Sequence, residues 1–358
     1  MRKTTTISLL PVICFLFIMH GLGDAKITGN CVNCHTMHYS QNGTRLSTWG
    51  SNGPYIRLST NSCVGCHTST TENTIIQIGS SKIPIVFNTG GYPAEPLAGG
   101  NFYKTSLGGS ENDKYGHNVE GISNADSNLL YVPGKQTGSN DHNTQLSISD
   151  CYNCHKLIVG VTGIPFTKSR SGNVLICEDC HTPKHHANDS VTVVDGTGGW
   201  YRFLYKVKGI EDSDWEKTVS PIDHSEYQGE TSAFGGSISD LGCDCHGDFH
   251  ALRNPLGVGS GSPWLRHPVD IALPTTGEYS AYTTYNPEAP VARPDMSGYS
   301  GPSQIVTPGI DQVMCLSCHR SHGSVQPDIL RWDYSKMVAG GGGSGGCFTC
   351  HTQKNQTP

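Results

Sequence analysis

The pattern Cys-x-x-Cys-His occurs six times in this chain. The copies are Cys31/Cys34/His35, Cys63/Cys66/His67, Cys151/Cys154/His155, Cys177/Cys180/His181, Cys315/Cys318/His319 and Cys347/Cys350/His351. The Cys and His frequencies would give roughly 0.03 such matches by chance, so the repetition constrains everything else in the chain. Two thiols at this spacing add across the two vinyl groups of a haem as thioethers. The next residue, His, then lies under the iron as its proximal ligand. Other uses of the cysteines explain less. Disulfides within the motif, or structural zinc, leave the following His without a role. Thioredoxin-like motifs need a βαβ context, which is absent.

A seventh cluster, Gly242-Cys243-Asp244-Cys245-His246, has one residue between its cysteines. The shorter loop changes the reach of the first thiol, so one or two thioethers could form there, with His246 as proximal ligand. The cofactor expected is haem c: seven groups, or six if this cluster is empty. A vestigial or other metal-type site is the alternative. No cysteine after residue 26 falls outside these clusters.

The chain has 17 His. Setting aside His20 and the seven proximal candidates leaves His38, His117, His142, His185, His186, His224, His250, His267 and His322 as distal candidates. Beyond the leader the methionines are Met37, Met296, Met314 and Met337, too few to complete seven haems. Bis-histidine ligation follows, without the axial Met that would raise the potential. His38, His185, His250 and His322 stand three or four residues after a proximal His. Such a residue cannot easily wrap around its own haem, so it is expected to reach a neighbour's. Of the adjacent His185 and His186, one is expected to ligate. His142 has the least local support. A six-coordinate haem has no position for a substrate, so no catalytic residue is assigned and the chain reads as an electron carrier.

Arg2 and Lys3, the apolar run Ile7–Met19, and Gly21, Gly23 and Ala25 follow the order of a secretory signal peptide. The run is too short to span a bilayer, which needs about 20 apolar residues. Residues 1–25 are therefore read as a signal peptide that removes Cys14. Residues 26–150 form an N-terminal two-haem region with a long haem-free loop, and 151–242 a central two-haem region. Residues 243–358 form a C-terminal region with the CxCH site and two CxxCH haems.

Only 35% of residues are hydrophobic and 15% charged, with 44 Gly. That is little for a close-packed core over this length. The macrocycles would supply the missing apolar interior. The formal charge of −6 and the lack of a Lys/Arg cluster disfavour nucleic acid. Short β-type runs are expected at 74–78, 83–87, 191–194 and 200–207, with short helices after the motifs. The Gly340–Gly346 run reads as a flexible joint. The fold class expected is a multihaem cytochrome c, mostly irregular, with short helices and a few short strands around a stacked haem chain.

The chain resembles the multihaem c-type cytochromes with doubled CxxCH motifs of metal-reducing bacteria. Within that group it is similar to the secreted, nanowire-type proteins. The likeness lies in Cys34-His35-Thr36-Met37-His38, in Pro96 to Tyr103 with Gly116 to Val119, and in Ser262 to Pro268. It continues in Met314 to His322 and Leu330 to Tyr334. The resemblance implies bis-histidine haems in a row and strengthens His117 and His267 as distal ligands. It implies extracellular electron transfer to a metal oxide, other cytochromes as donors and acceptors, and self-assembly into a filament. Gly242, where the first Cys would stand, departs from the pattern. The rival readings are a multihaem reductase of a small nitrogen or sulfur oxyanion, and a periplasmic electron store.

Overall fold

The computed structural model describes residues 35, 38, 40–41, 44–45, 63–78, 81–93, 97–126, 128, 133, 175–181, 185, 201–204, 207–230, 236–243, 246, 249 and 267–356. Long elements are missing from these stretches, as the Gly-, Ser- and Pro-rich sequence predicts. The strands are β1 (Ser40–Gln41), β2 (Thr44–Arg45), β3 (Thr68–Ser69), β4 (Ile75–Ile78), β5 (Ser81–Pro84) and β6 (Phe87–Asn88). They continue as β7 (Gly209–Ile210), β8 (Glu226–Gln228), β9 (Ile271–Ala272), β10 (Ala292–Arg293) and β11 (Gln312–Val313). Two short α-helices, α1 (Tyr103–Ser106) and α2 (Ile238–Cys243), and several single 3-10 turns complete the described elements. No helix among the described residues is long and apolar enough to cross a membrane. The candidate signal peptide and the expected strand 191–194 lie outside the described residues.

β4 and β5 form an antiparallel hairpin in which Ile76 pairs with Ile83. The run expected at 83–87 is divided between β5 and β6: Ile85 N–H still donates in register to the Thr74 carbonyl, but the amides of Val86 and Phe87 turn to the His67 carbonyl. The run expected at 200–207 is not a strand. Tyr201–Phe203 is a 3-10 turn with Arg202 and Phe203 in the left-handed region, φ 51° and 58°. Tyr201 still buries its ring, which is what the apolar pattern reports. The glycine run is not loose: Gly340 and Gly342 donate to the carbonyls of Lys354 and Asn355.

The largest sheet has the order β7-β8-β10-β11-β9, with only the β8–β10 pair parallel. One apolar cluster packs against it from Tyr201, Leu204, Val207, Tyr227, Met314 and Leu316. A second gathers Leu273, Tyr282, Tyr285, Val291 and Val306, with Cys350 at its margin. Between them lies an ionic core. Arg293, 1% exposed, is held by Glu226 Oε2 at 2.9 Å and Asp311 Oδ2 at 2.5 Å. Ser303 N–H donates to Glu226 Oε1 at 2.6 Å. Two carboxylates and one guanidinium, each hydrogen-bonded, offset the cost of burying charge; removing the cation alone does not. Arg293→Leu should therefore lower the unfolding free energy by about 3–5 kcal/mol. Urea titration of the variant beside the unaltered chain measures this.

Candidate haem sites

At four motifs the first Cys lies at or next to the start of a tight turn: Cys63–Gly65, Cys177–Asp179, Cys315–Ser317 and Gly346–Thr349. The second Cys closes it. The amides of Cys66, Cys180 and Cys318 donate to the carbonyls of Cys63, Cys177 and Cys315, at 3.1, 3.2 and 3.2 Å. In each motif the His amide donates back to the first Cys carbonyl, at 3.0 Å for His67, 2.9 Å for His181, and 3.0 Å for both His319 and His351. Cys66 is half-buried, as are Cys63 before it and His67 after it. Cys63, Cys177, Cys318, Cys347 and Cys350 take part in no disulfide. A hydrogen bond between the Cys63 and Cys177 thiols holds Cys63 well above its ordinary pKa, so these two motifs touch. Burial pushes Cys318 and Cys350 up to about 12.

The proximal rings are aimed through Nδ1. The Nδ1–H of His67, His181, His246 and His319 donates to the carbonyls of Pro84, Arg202, Pro133 and Asp328, at 2.8, 2.9, 2.8 and 2.8 Å. His117 and His267 donate likewise to Ser321 and Pro268, at 2.6 and 3.0 Å. A donating Nδ1 fixes the tautomer and leaves the Nε2 lone pair for a metal. Burial holds His67, His117, His181, His246, His267 and His319 below the ordinary histidine value, and His322 down to about 3. They are therefore neutral, as a metal ligand must be.

Backbone strain serves this aiming. Arg202 and Phe203 share the left-handed region with Asp328 and Ile329, φ 57° and 52°. Each pair precedes a leucine that bridges to a proximal residue, His181 with Leu204 and His319 with Leu330. Such conformations cost of order 1–3 kcal/mol each and persist where surrounding structure fixes them. Here each presents a carbonyl to an imidazole.

Four proximal rings each face a second histidine. Ring centroids are 6.3 Å apart for His67 and His185, 6.0 Å for His181 and His322, 6.2 Å for His246 and His117, and 6.2 Å for His351 and His267. Metal–imidazole bonds of about 2.0–2.1 Å on either side of an iron would separate two centroids by about 6.3 Å. The gaps match that spacing and exceed direct contact. The short cluster takes part: Cys243 ends α2 instead of opening a turn, yet His246 still faces His117.

His224 is placed differently. Its ring stacks on Tyr285 at 3.5 Å, Nδ1 donates to the Ser220 carbonyl, and Nε2 lies 3.4 Å from Glu226. It belongs to the ionic core around Arg293. Met296 and Met314 are buried, Met314 within the first apolar cluster. His35 and His38 are exposed. Cys31, Cys34, Cys151, Cys154, His155, Cys245, His142, His186 and His250 lie outside the described residues.

A second feature fits haem. Arg320 and Arg331 line a cavity of about 350 Å³ with Tyr92, Ser324 and Leu330. Arg320 donates to the Leu97 and Ala98 carbonyls, and Arg331 to those of Leu316 and Pro287. Arg331 Nη2 is buried without a hydrogen-bond partner. Burial, with Arg331 alongside, lowers Arg320 to about 10. Among the described residues no carboxylate pairs with either. Two half-buried cations with no paired carboxylate among the described residues leave positive charge that the propionates of a haem would balance. Sequence reading missed both arginines and the aiming carbonyls. The carbonyls had no signal, since Arg202 lies 21 residues after His181 and Asp328 only 9 after His319.

His117 and His322 share a glycine junction. His117 N–H donates to the His322 carbonyl at 3.2 Å, and Asn101 N–H to the Gly323 carbonyl at 3.0 Å. A Cβ on Gly323 would lie 2.7 Å from Asn101 O and 2.8 Å from Tyr115 O. Gly323→Ala should cost about 1–3 kcal/mol by overpacking, read as a lowered thermal midpoint, and perturb the Soret band through both rings.

The doubled CXXCH motif model matches residues 308–356, which hold the last two motifs. The chain is 26% identical to the C-type cytochrome OmcS of Geobacter sulfurreducens, over 88% of this chain and 81% of that one. Two solved structures from Geobacter sulfurreducens are also similar at 20% identity. The outer membrane cytochrome S filament has a TM-score of 0.47, covering 87% of this chain and 84% of that one. The OmcS nanowires have a TM-score of 0.41, covering 87% and 85%. The chain thus carries a doubled CXXCH module at its C-terminal end and is similar along most of its length to a c-type cytochrome.

Proposed function

We propose that the chain is a low-potential electron-transfer cytochrome carrying seven haem c groups, six on CxxCH motifs and one on Cys243, Cys245 and His246. The observation that carries this is the set of four histidine pairs spaced for an iron between them. In this reading Cys63 and Cys66 attach the haem of His67, and the thiol contact between Cys63 and Cys177 gives way to two thioethers. His185 completes the haem of His67, His322 that of His181, His117 that of His246, and His267 that of His351. Both axial positions are then filled, which leaves no site for a substrate and favours a carrier over a reductase. Haem supplies the one-electron chemistry. The protein's own residues hold it, exclude water and aim the imidazoles.

The regions 26–150, 151–242 and 243–358 share ligands in this reading, since His185 and His322 each serve a haem of another region. His38, His142, His186 and His250 are the remaining candidates for the haems of His35, His155 and His319. The resemblance to OmcS supports a site of action at the cell exterior and assembly of copies end to end, which would lengthen the haem row. Donors and acceptors are then other cytochromes, the same chain, or a metal oxide.

Mass measurement of the purified chain should give seven haems, and low-temperature EPR only low-spin iron. A substantial high-spin population that binds CO or nitrite would favour a reductase. His322→Ala should convert one haem per chain, that of Cys177 and Cys180, to a high-spin CO-binding form. Negative-stain microscopy of concentrated protein should show filaments; monodisperse particles alone would remove self-assembly.

A further inference from the structure

One proximal histidine has a different partner. Where His67, His181, His246 and His319 donate to backbone carbonyls, His351 Nδ1 faces the Glu278 carboxylate, with Oε1 at 3.3 Å. The Glu278 side chain is only 9% exposed, and its Oε2 is buried without a hydrogen-bond partner. Lys354 Nζ lies 3.7 Å from the same Oε1 but is 63% exposed, so solvent screens it. The placement is fixed on three sides. Glu278 sits in the 3-10 turn Gly277–Ala281, its carbonyl accepts from Thr352 Oγ1 at 2.5 Å, and the next ring, Tyr279, packs edge-on against His351 at 5.2 Å.

We propose that Glu278 is a positioning residue that lowers the reduction potential of the haem held by His351 below those of the haems held by His67, His181, His246 and His319. This rests on the reading of His351 as a haem ligand. A carboxylate draws the Nδ1 proton harder than an amide carbonyl does. The imidazole then donates more electron density through Nε2, which favours Fe(III) over Fe(II). The redox step is the addition of one electron to Fe(III) to give Fe(II). The proton stays in the Nδ1–Oε1 hydrogen bond throughout. A partly buried negative charge beside the ring acts in the same direction.

The test is a spectroelectrochemical titration of the haem-loaded full chain. Mass analysis of the peptide bearing Cys347 and Cys350 accompanies it. Glu278→Gln keeps the shape and an acceptor oxygen but removes the charge. The lowest-potential component should rise by about 59 mV, a tenfold change in its one-electron equilibrium. The low-spin EPR signal of that haem should shift with it. Glu288→Gln is the control, since Glu288 lies against the same loop at Gly345 and removes a charge without being the carboxylate that faces His351. It should move that component less than half as far. Haem on the peptide with no component moving, or an equal shift in both variants, would overturn the proposal and leave the haem reading intact. No haem on that peptide in the unaltered chain would overturn the reading itself. If Glu278→Gln fails to load haem, Glu278→Asp retracts the carboxylate but keeps its charge. A rise in that component supports the proposal and an unchanged value removes it.

Discussion

An imidazole that presents Nε2 to a metal needs its other nitrogen tied down, and most of the proposed haem ligands among the described residues share that feature. Each tied Nδ1 calls for a carbonyl or carboxylate at about 2.6–3.3 Å, held in a set direction. Long strands and helices use up their carbonyls internally. Only backbone leaving a regular ladder can offer them, and the carbonyls of Pro84, Arg202, Pro133 and Asp328 come from strand ends and turns. Two- to four-residue strands and left-handed pairs are thus what repeated imidazole aiming demands.

The same demand explains the modest apolar core. The two apolar clusters among the described residues gather seven and five buried residues. Between them the Arg293–Glu226–Asp311 network is polar, and the half-buried Arg320 and Arg331 pair with no carboxylate among the described residues. With haem in place, the macrocycles add apolar surface and the propionates add anions. Two propionates on each of seven haems would take the formal −6 towards about −20, partly paired with such arginines.

The motif turns, the His that follows each second Cys and the irregular fold class were legible because covalent haem attachment fixes a local pattern. For two of the four offset histidines the placement beside another motif was legible too. His185 and His322 stand too close in sequence to their own proximal His, and the structure sets each opposite another motif's ring. His224 carries no such local sign. Its role depends on Glu226 and Tyr285, the latter 61 residues away, so composition alone counted it with the ligands. The 200–207 run misled because its aromatic and β-branched residues suit a strand, whereas Tyr201, Leu204 and Val207 are buried at a spacing of three and Arg202 turns to aim a carbonyl. Backbone carbonyls exist at every residue, so nothing in a sequence marks the few that aim a ring.

The offset histidines also bear on how fast electrons could move. In the proposed ligation, His181 and His185 serve different haems four residues apart, and His319 and His322 do so three residues apart. A chain extends at most about 3.3–3.6 Å per residue, so the two Cα atoms of such a pair stay within about 15 Å however the surroundings shift. The Cys63 and Cys177 sulfurs, neighbours before attachment, put the same two motifs side by side from the attachment side. The haems of His67 and His181 would then be linked twice, through neighbouring sulfurs and through neighbouring axial ligands. Their separation would be set by covalent chain length and change little with the packing of a soft, glycine-rich exterior. That is how a chain with so little regular structure could keep its irons at fixed distances.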